Sequence, residues 1–234
     1  MDMPENRARQ HWFYLSKVAF EAGRVDDAVE FMDKVVAISA AAGDDLTEDE
    51  KDHFFSSYKK RILPLREALM SMSSNHGSLG SEYRSRIESE LSCVCNRVLK
   101  LLDSHLIPTA SASDSKVFYL RMKGDYYRYL AEIKREADSK AAAERAYTAA
   151  EKVAVADLSP IHHLRMGLAL NFSIFYHDVL GEVKKGFFMA LNAYNEALEE
   201  MRAQEKTVQG EASRVWHLLG DHCHDWSFHI EAIS

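Results

Sequence analysis

The stretch Val117–Ile133, VFYLRMKGDYYRYLAEI, lays two patterns on one helix. Phe118, Leu120, Met122, Tyr126, Leu130 and Ile133 include the three-, four- and seven-residue spacings of a buried stripe. Arg121, Lys123, Asp125, Arg128 and Glu132 are interleaved with it. Cations set among tyrosines beside one fixed acid point to a face that grips an anion. A solvated charged face gives the same pattern and stands as the alternative.

The same periodicity predicts eight more helices. The first runs from Glu5 to Ala22 and stops at Gly23. The second restarts at Val25-Asp26-Asp27 and carries Phe31, Met32, Val35, Val36 and Ile38. Thr47 stands three residues before Glu50, a capping box that opens a third helix through Phe54, Tyr58, Ile62 and Leu69. Pro64 lies inside that helix and should kink it near Arg61. SMSSNHGSLGS reads as a loop, followed by a fourth helix from about Glu82 to Leu106 that Pro108 stops. Val117–Ile133 belongs to the fifth. A polar turn near Asp138 leads to an alanine-rich sixth, which runs to about Ala156. Ser159-Pro160 starts a seventh, closed by Gly181, with proline in the first turn where it is tolerated. FFMALNAYNEALEEM and VQGEASRVWHLLGDHCHDW supply the eighth and ninth. No period-two run is long enough for a strand, so the expected fold is all-α, a bundle of about nine antiparallel helices.

Composition narrows the function. The 234 residues are 47% apolar with only 4 Pro and 10 Gly, which suits a helical globular chain and a sizeable core. A formal charge of -7 argues against nucleic acid as a partner, so an anion site must be a local basic pocket on an acidic body. No apolar run approaches the roughly 18 residues of a spanning helix, and the polar amino terminus has no secretory core. No membrane partner is expected. Three cysteines, two of them separated by one residue in a helical pattern, fit a reduced, cytoplasmic compartment.

Lys59 and Arg66, seven apart on the third helix, point the same way. Lys60 and Arg61 point elsewhere and are expected to be solvated. With the fifth helix beside the third, Arg128 would join Lys59 and Arg66 around one small volume, and Asp125 would share the charge. A phosphate dianion matches such a set: the arginine forks pair its oxygens, lysine adds a point charge and Tyr129 donates a hydroxyl.

RMKGDYYRYLAEI and LRMGLALNFSIFYHDVL, in that order, resemble the 14-3-3 family of phosphopeptide-binding adaptors, with helix lengths agreeing from about Leu15 to Trp226. The resemblance implies one domain over 1–234 with a concave amphipathic groove. It builds the groove from about 47–74, 113–135, 160–180 and 207–231. It assigns Lys59, Arg66, Arg128 and Tyr129 to a phosphate clamp and Asn171 to the peptide backbone. Leu170, Ile174, Val215, Leu218 and Trp226 form an apolar wall, and Gly167 and Lys123 line the groove. Core packing is the plain alternative for Leu170, Ile174 and Leu218. Asn171 is harder to dismiss, because a buried amide needs partners.

Several positions depart from the family pattern. His222 stands where an asparagine usually grips the peptide backbone. Asp178 replaces a longer acid, Arg121 a lysine and Ser56 an apolar residue, while Leu65 and Met70 replace basic residues. These changes bear on peptide preference and affinity.

The resemblance also implies self-association through helices at about 5–41 and 80–106. Val18 and Ala22 would meet Tyr83 and Ile87 of another copy, with Arg24 against Glu90 and Asp27 against Arg86. A homodimer is expected and a heterodimer is possible, with phosphorylated client proteins as partners, no cofactor and no catalysis.

Three other chemistries fit the sequence poorly. His222 and His224 point about 200° apart on a helix, so GDHCHDW does not converge on a metal. The acids of Asp44–Asp49 resemble half of a magnesium site, but a second acidic motif is lacking and acids are favoured at a helix N-terminus anyway. No G-x-S-x-G elbow occurs. The rival reading is a tetratricopeptide-like scaffold for unphosphorylated peptides, suggested by ALNAYNEALEEM but lacking a 34-residue period.

Overall fold

The computed structural model describes residues 4–72, 77–134 and 137–231, and among them every regular element is helical. The helices are α1 (Pro4–Glu21), α2 (Val25–Ala42), α3 (Glu48–Ser71) and α4, which runs Gly77–Leu101, widens into a π-helical turn at Leu102–Leu106 and ends at Ile107–Thr109. After Ala110 come α5 (Ser113–Lys134), α6 (Ala137–Asp157), α7 (His163–Ile174 with a π-helical end, Phe175–Leu180), α8 (Val183–Ala203) and α9 (Gly210–Glu231). Among the described residues, counting each continuous run once gives the expected nine. The chain divides into two compact units between Ala110 and Ser111.

In the first unit α1 packs on α2, α2 on α3 and the π-turn of α4, and α3 on α4. Gly23 makes the α1–α2 turn with φ +74, a left-handed value that glycine adopts without penalty. The core collects the apolar stripes: Met32, Val35, Phe54, Tyr58, Ile62, Leu91 and Val98 are buried. The predicted capping box is present, with Thr47 N–H donating to Glu50 Oε2 at 2.8 Å and Glu50 N–H to Thr47 Oγ1 at 3.3 Å. Glu50 also accepts from Arg9 Nη2 at 2.6 Å, and Lys51 pairs with Glu48 at 2.8 Å. The acids of Asp44–Asp49 thus sit beside helix-capping and ion-pair contacts that bind them to their own fold.

α3 runs to Ser71 with Pro64 inside it, as expected. Four boundaries differ from expectation. α4 begins at Gly77, taking in the end of the expected loop; residues 73–76 of that loop lie outside the described residues. Pro108 does not stop α4 at Leu106 but sits in its last turn. α7 starts at His163, not at Pro160, because the cap is His162, whose Nδ1 accepts from Leu164 N–H at 3.3 Å. Asp138 is already helical, in α6 from Ala137; residues 135–136 lie outside the described residues.

The second unit is built on α5 and α6, with α7 packed on both and on α8 and α9. Phe118, Met122, Tyr126 and Leu130 of the predicted stripe are buried; Leu120 and Ile133 are half-buried. Gly124 lets α5 and α6 come together: a Cβ there would lie 2.5 Å from the Tyr147 ring. Met166, Leu170, Ala190, Leu219 and Trp226 form a core cluster among α7, α8 and α9.

Candidate functional site

The charged side of α5 is not solvated at its centre. Asp125 is 4% exposed and Arg128 7%. Two ions buried side by side persist only when partners replace the lost water, and those partners are visible. Tyr147 Oη donates to Asp125 Oδ1 at 2.6 Å, and Arg128 Nε donates to Tyr147 Oη at 3.2 Å. Asn171 Nδ2 donates to both Asp125 oxygens at 3.0 Å. Arg128 Nη1 reaches Glu132 at 2.9 Å, Nη2 lies 3.5 Å from Asp125, and the guanidinium stands 4.8 Å from the Tyr129 ring centre.

The electrostatics follow from that geometry. Burial works against the charge on Arg128, but Tyr147, Asp125, Tyr129 and Glu132 outweigh it and hold its pKa well above the ordinary guanidinium value. Burial first, and Asp125 second, push the Tyr147 phenol well up, so it serves as a neutral donor. The result is a permanently charged guanidinium braced from behind by two carboxylates and a phenol. A guanidinium held in this way keeps its charge and its orientation before any ligand arrives.

The other expected phosphate ligands, Lys59 and Arg66, belong to α3 in the first unit; Lys59 is exposed, 5.5 Å from the Phe55 ring centre, and Arg66 is half-buried. Of their neighbours, Lys60 is exposed as expected, with Nζ bonding the Phe20 carbonyl at 3.2 Å. Arg61 departs from expectation: it is half-buried and pairs with Asp26 at 2.5 Å and Glu90 at 2.6 Å, tying α3 to neighbouring helices.

Along α7, Gly167 is buried beneath Arg121, whose Nη1 would lie 2.7 Å from a Cβ at that position. Asn171 is half-buried, with its amide nitrogen held by Asp125. Leu170 and Trp226 are core members, Ile174 and Val215 pack against them, and Leu218 stays 45% exposed. Lys123 is half-buried. Asp178 is exposed and bonds His177 Nδ1 at 2.6 Å. His222 turns Nδ1 back to the Leu218 carbonyl at 2.8 Å, which leaves Nε2 as its outward atom, and its ring stands edge-on to Trp226. Trp226 is stacked by His177, ring centres 4.2 Å apart.

Tyr147, Glu132 and His177 are the positioning residues that sequence reasoning missed. Tyr147 stands in an alanine-rich helix where period alone marks only a packed face. A glycine at 124, costing about 1 kcal/mol mid-helix relative to alanine, is the one hint that something large lies opposite.

Of the residues expected at a self-association surface, Val18 is 43% and Tyr83 59% exposed, Ala22, Arg24, Arg86 and Glu90 are exposed, Asp27 is half-buried and Ile87 is buried in its own unit. Tyr14, one turn before Val18, is 63% exposed. Arg24 pairs with Asp27 of the same chain and Glu90 with Arg61.

Burial pushes the Cys223 thiol up to about 11, away from the thiolate a metal requires. Among the described residues no group of three His, Cys, Asp or Glu side chains could hold a metal ion, and no helix is long and apolar enough to cross a membrane.

A family model described as "14-3-3 protein" matches residues 15–227. The 14-3-3-like protein D of Nicotiana tabacum is 43% identical, with 97% of this chain and 96% of that protein covered. The 14-3-3-like protein G-BOX factor 14 kappa of Arabidopsis thaliana is also 43% identical, over 96% of each chain. The 14-3-3 protein 10 of Solanum lycopersicum matches at 43%, over 96% of this chain and 94% of its own.

Proposed function

The chain belongs to the 14-3-3 family, and from that premise we propose that it binds phosphoserine and phosphothreonine segments of client proteins through Lys59, Arg66, Arg128 and Tyr129. The function is that of a phosphopeptide-binding adaptor, which regulates a client by clamping or masking it and carries out no catalysis of its own. The observation that carries the assignment is Arg128: buried, fixed in its charged form, and oriented by Asp125, Tyr147 and Glu132. Evolving such a device for stability alone is poorly motivated, since apolar residues of similar volume often serve a core as well or better. Asn171 shares Asp125 with Arg128, so the groups assigned to phosphate and to peptide backbone are set by one carboxylate.

The peptide lies in a basic amphipathic groove whose apolar side is Leu170, Ile174, Val215, Leu218 and Trp226, with Gly167, Lys123, Asp178 and His222 lining the rest. His222 offers Nε2 where a carboxamide would offer both a donor and an acceptor, which favours peptides that present a backbone N–H there. Titrating one peptide with and without its phosphate tests the reading. A scaffold of the tetratricopeptide kind would bind both forms alike.

The protein works as a dimer in the cytoplasm, where its three free cysteines remain reduced. Val18, Ala22 and Tyr83 supply the exposed apolar contact, with Ile87 buried behind them; Arg24, Asp27 and Glu90 exchange same-chain partners for partners in the second copy, and Arg86 pairs with Asp27 there. Two sites on one dimer gain roughly 10²–10⁴ in avidity for a doubly phosphorylated client if the spacing permits. Val18→Glu, at an exposed position, should leave the fold unchanged and shift the sedimenting species from a dimer to the 26.6 kDa monomer. An undiminished mass would count against this interface.

A further inference from the structure

A second cavity, of about 390 Å³, opens in the second unit between α6, α7 and α8, and none of the residues assigned to phosphate or peptide lines it. α7 presents Gly167, Leu170, Asn171 and Ile174 elsewhere; to this cavity it gives Met166 and Phe172, both buried. Val155 of α6 and Phe188 of α8 also line it, yet are 59% and 51% exposed. Large apolar side chains left in water around a concavity of this size are characteristic of a small-molecule site, for which about 300–1,000 Å³ is typical.

The charges around the cavity select its ligand. Four ionic side chains line it: Glu151, Glu196, Arg165 and Lys185. Arg165 is committed to Glu196 at 2.7 Å and to the Leu158 carbonyl at 2.9 Å. Lys185 stands 3.7 Å from the Tyr176 ring centre and 3.4 Å from Glu182. Glu151 alone makes no hydrogen bond or ion pair among the described residues. It is half-buried, and burial, followed by the nearby Glu196, pushes its carboxyl pKa up against the opposing pull of Lys185. A carboxylate that is costly to keep charged, beside apolar surface, is satisfied by an incoming cation, which adds to the partial compensation from Lys185; an anion would add to the repulsion between Glu151 and Glu196.

We propose that this cavity binds a small amphipathic cation, with an apolar body of about indole size lying on Phe188, Val155, Met166 and Phe172 and a single ammonium group on Glu151. The site is independent of the phosphopeptide reading: it shares no residue with it.

Three probes of one shape separate charge from burial: tryptamine, 3-methylindole and indole-3-propionate, each titrated into the full chain while the Met166 and Met189 methyl resonances are followed. Tryptamine should bind with a dissociation constant on the order of 1 mM, as expected for a fragment-sized ligand, and about 10-fold tighter than 3-methylindole, with indole-3-propionate weakest. Glu151→Gln should remove tryptamine's advantage and leave 3-methylindole unchanged. Phe188→Ala, at an exposed position, should weaken both. Equal binding of tryptamine and 3-methylindole, no saturable binding by tryptamine, or shifts centred on Leu218 and Trp226 instead would each overturn the proposal, and the ranking of the three probes decides even if a variant fails to fold.

Discussion

Replacing Arg128 by lysine is expected to weaken phosphopeptide binding about 100-fold while keeping the positive charge. The guanidinium can present two parallel donors to a phosphate; an ammonium on a shorter stem presents a point charge. Hydrogen bonds to charged groups contribute about 1.5–3 kcal/mol each, so losing the fork amounts to roughly 3 kcal/mol, or about two orders of magnitude in affinity. Arg128→Ala should abolish binding, but it is the less clean variant. With Arg128 only 7% exposed and bonded to Tyr147 and Glu132, its removal leaves Asp125 without the cation it faces, so stability falls as well. Isothermal titration, normalised to the folded fraction, checks the lysine variant. Unchanged affinity per folded molecule would make Arg128 a structural residue.

The second large effect is on stability. Asp125→Asn should cost about 3–5 kcal/mol, the range for breaking a buried charged pair from one side. The replacement amide turns donors toward donors: Tyr147 Oη and Asn171 Nδ2 both now donate to Asp125, and Arg128 would keep Glu132 as its sole carboxylate partner in the group. At about 2–4 °C per kcal/mol for a chain of this size, the thermal midpoint should drop by about 10 °C. A midpoint within a degree or two of the wild type would show that the network contributes little.

How much of this could be read from residues alone varies along α5. The stripe of Phe118, Met122, Tyr126 and Leu130 is legible because each position repeats the helical period, and all four are buried. Asp125 and Arg128 were visible as chemistry but not as buried groups, since a solvated face and a braced internal pair have the same spacing. What distinguishes them is Tyr147, 22 residues beyond Asp125 on another helix, and nothing local to α5 except Gly124 announces it. The helix ends differ from the sequence expectation where the usual punctuation does not hold. Pro108 is tolerated in a last turn preceded by a π-widened one, and α7 is capped by His162, not one of the side chains that normally mark a start. The assignment of Lys59 and Arg66 came from two cations at a two-turn spacing together with family motifs. The surrounding changes at Leu65 and Met70 leave both residues in place but put less positive charge around them, and Ser56 takes the place of an apolar residue.

The most direct measurement is the affinity of one client-derived peptide in two forms, serine and phosphoserine, at the same pH and ionic strength. The proposed clamp predicts that the phosphorylated form binds at least about 100-fold tighter, with the preference shrinking as salt is raised. Equal affinities for the two forms would contradict the account.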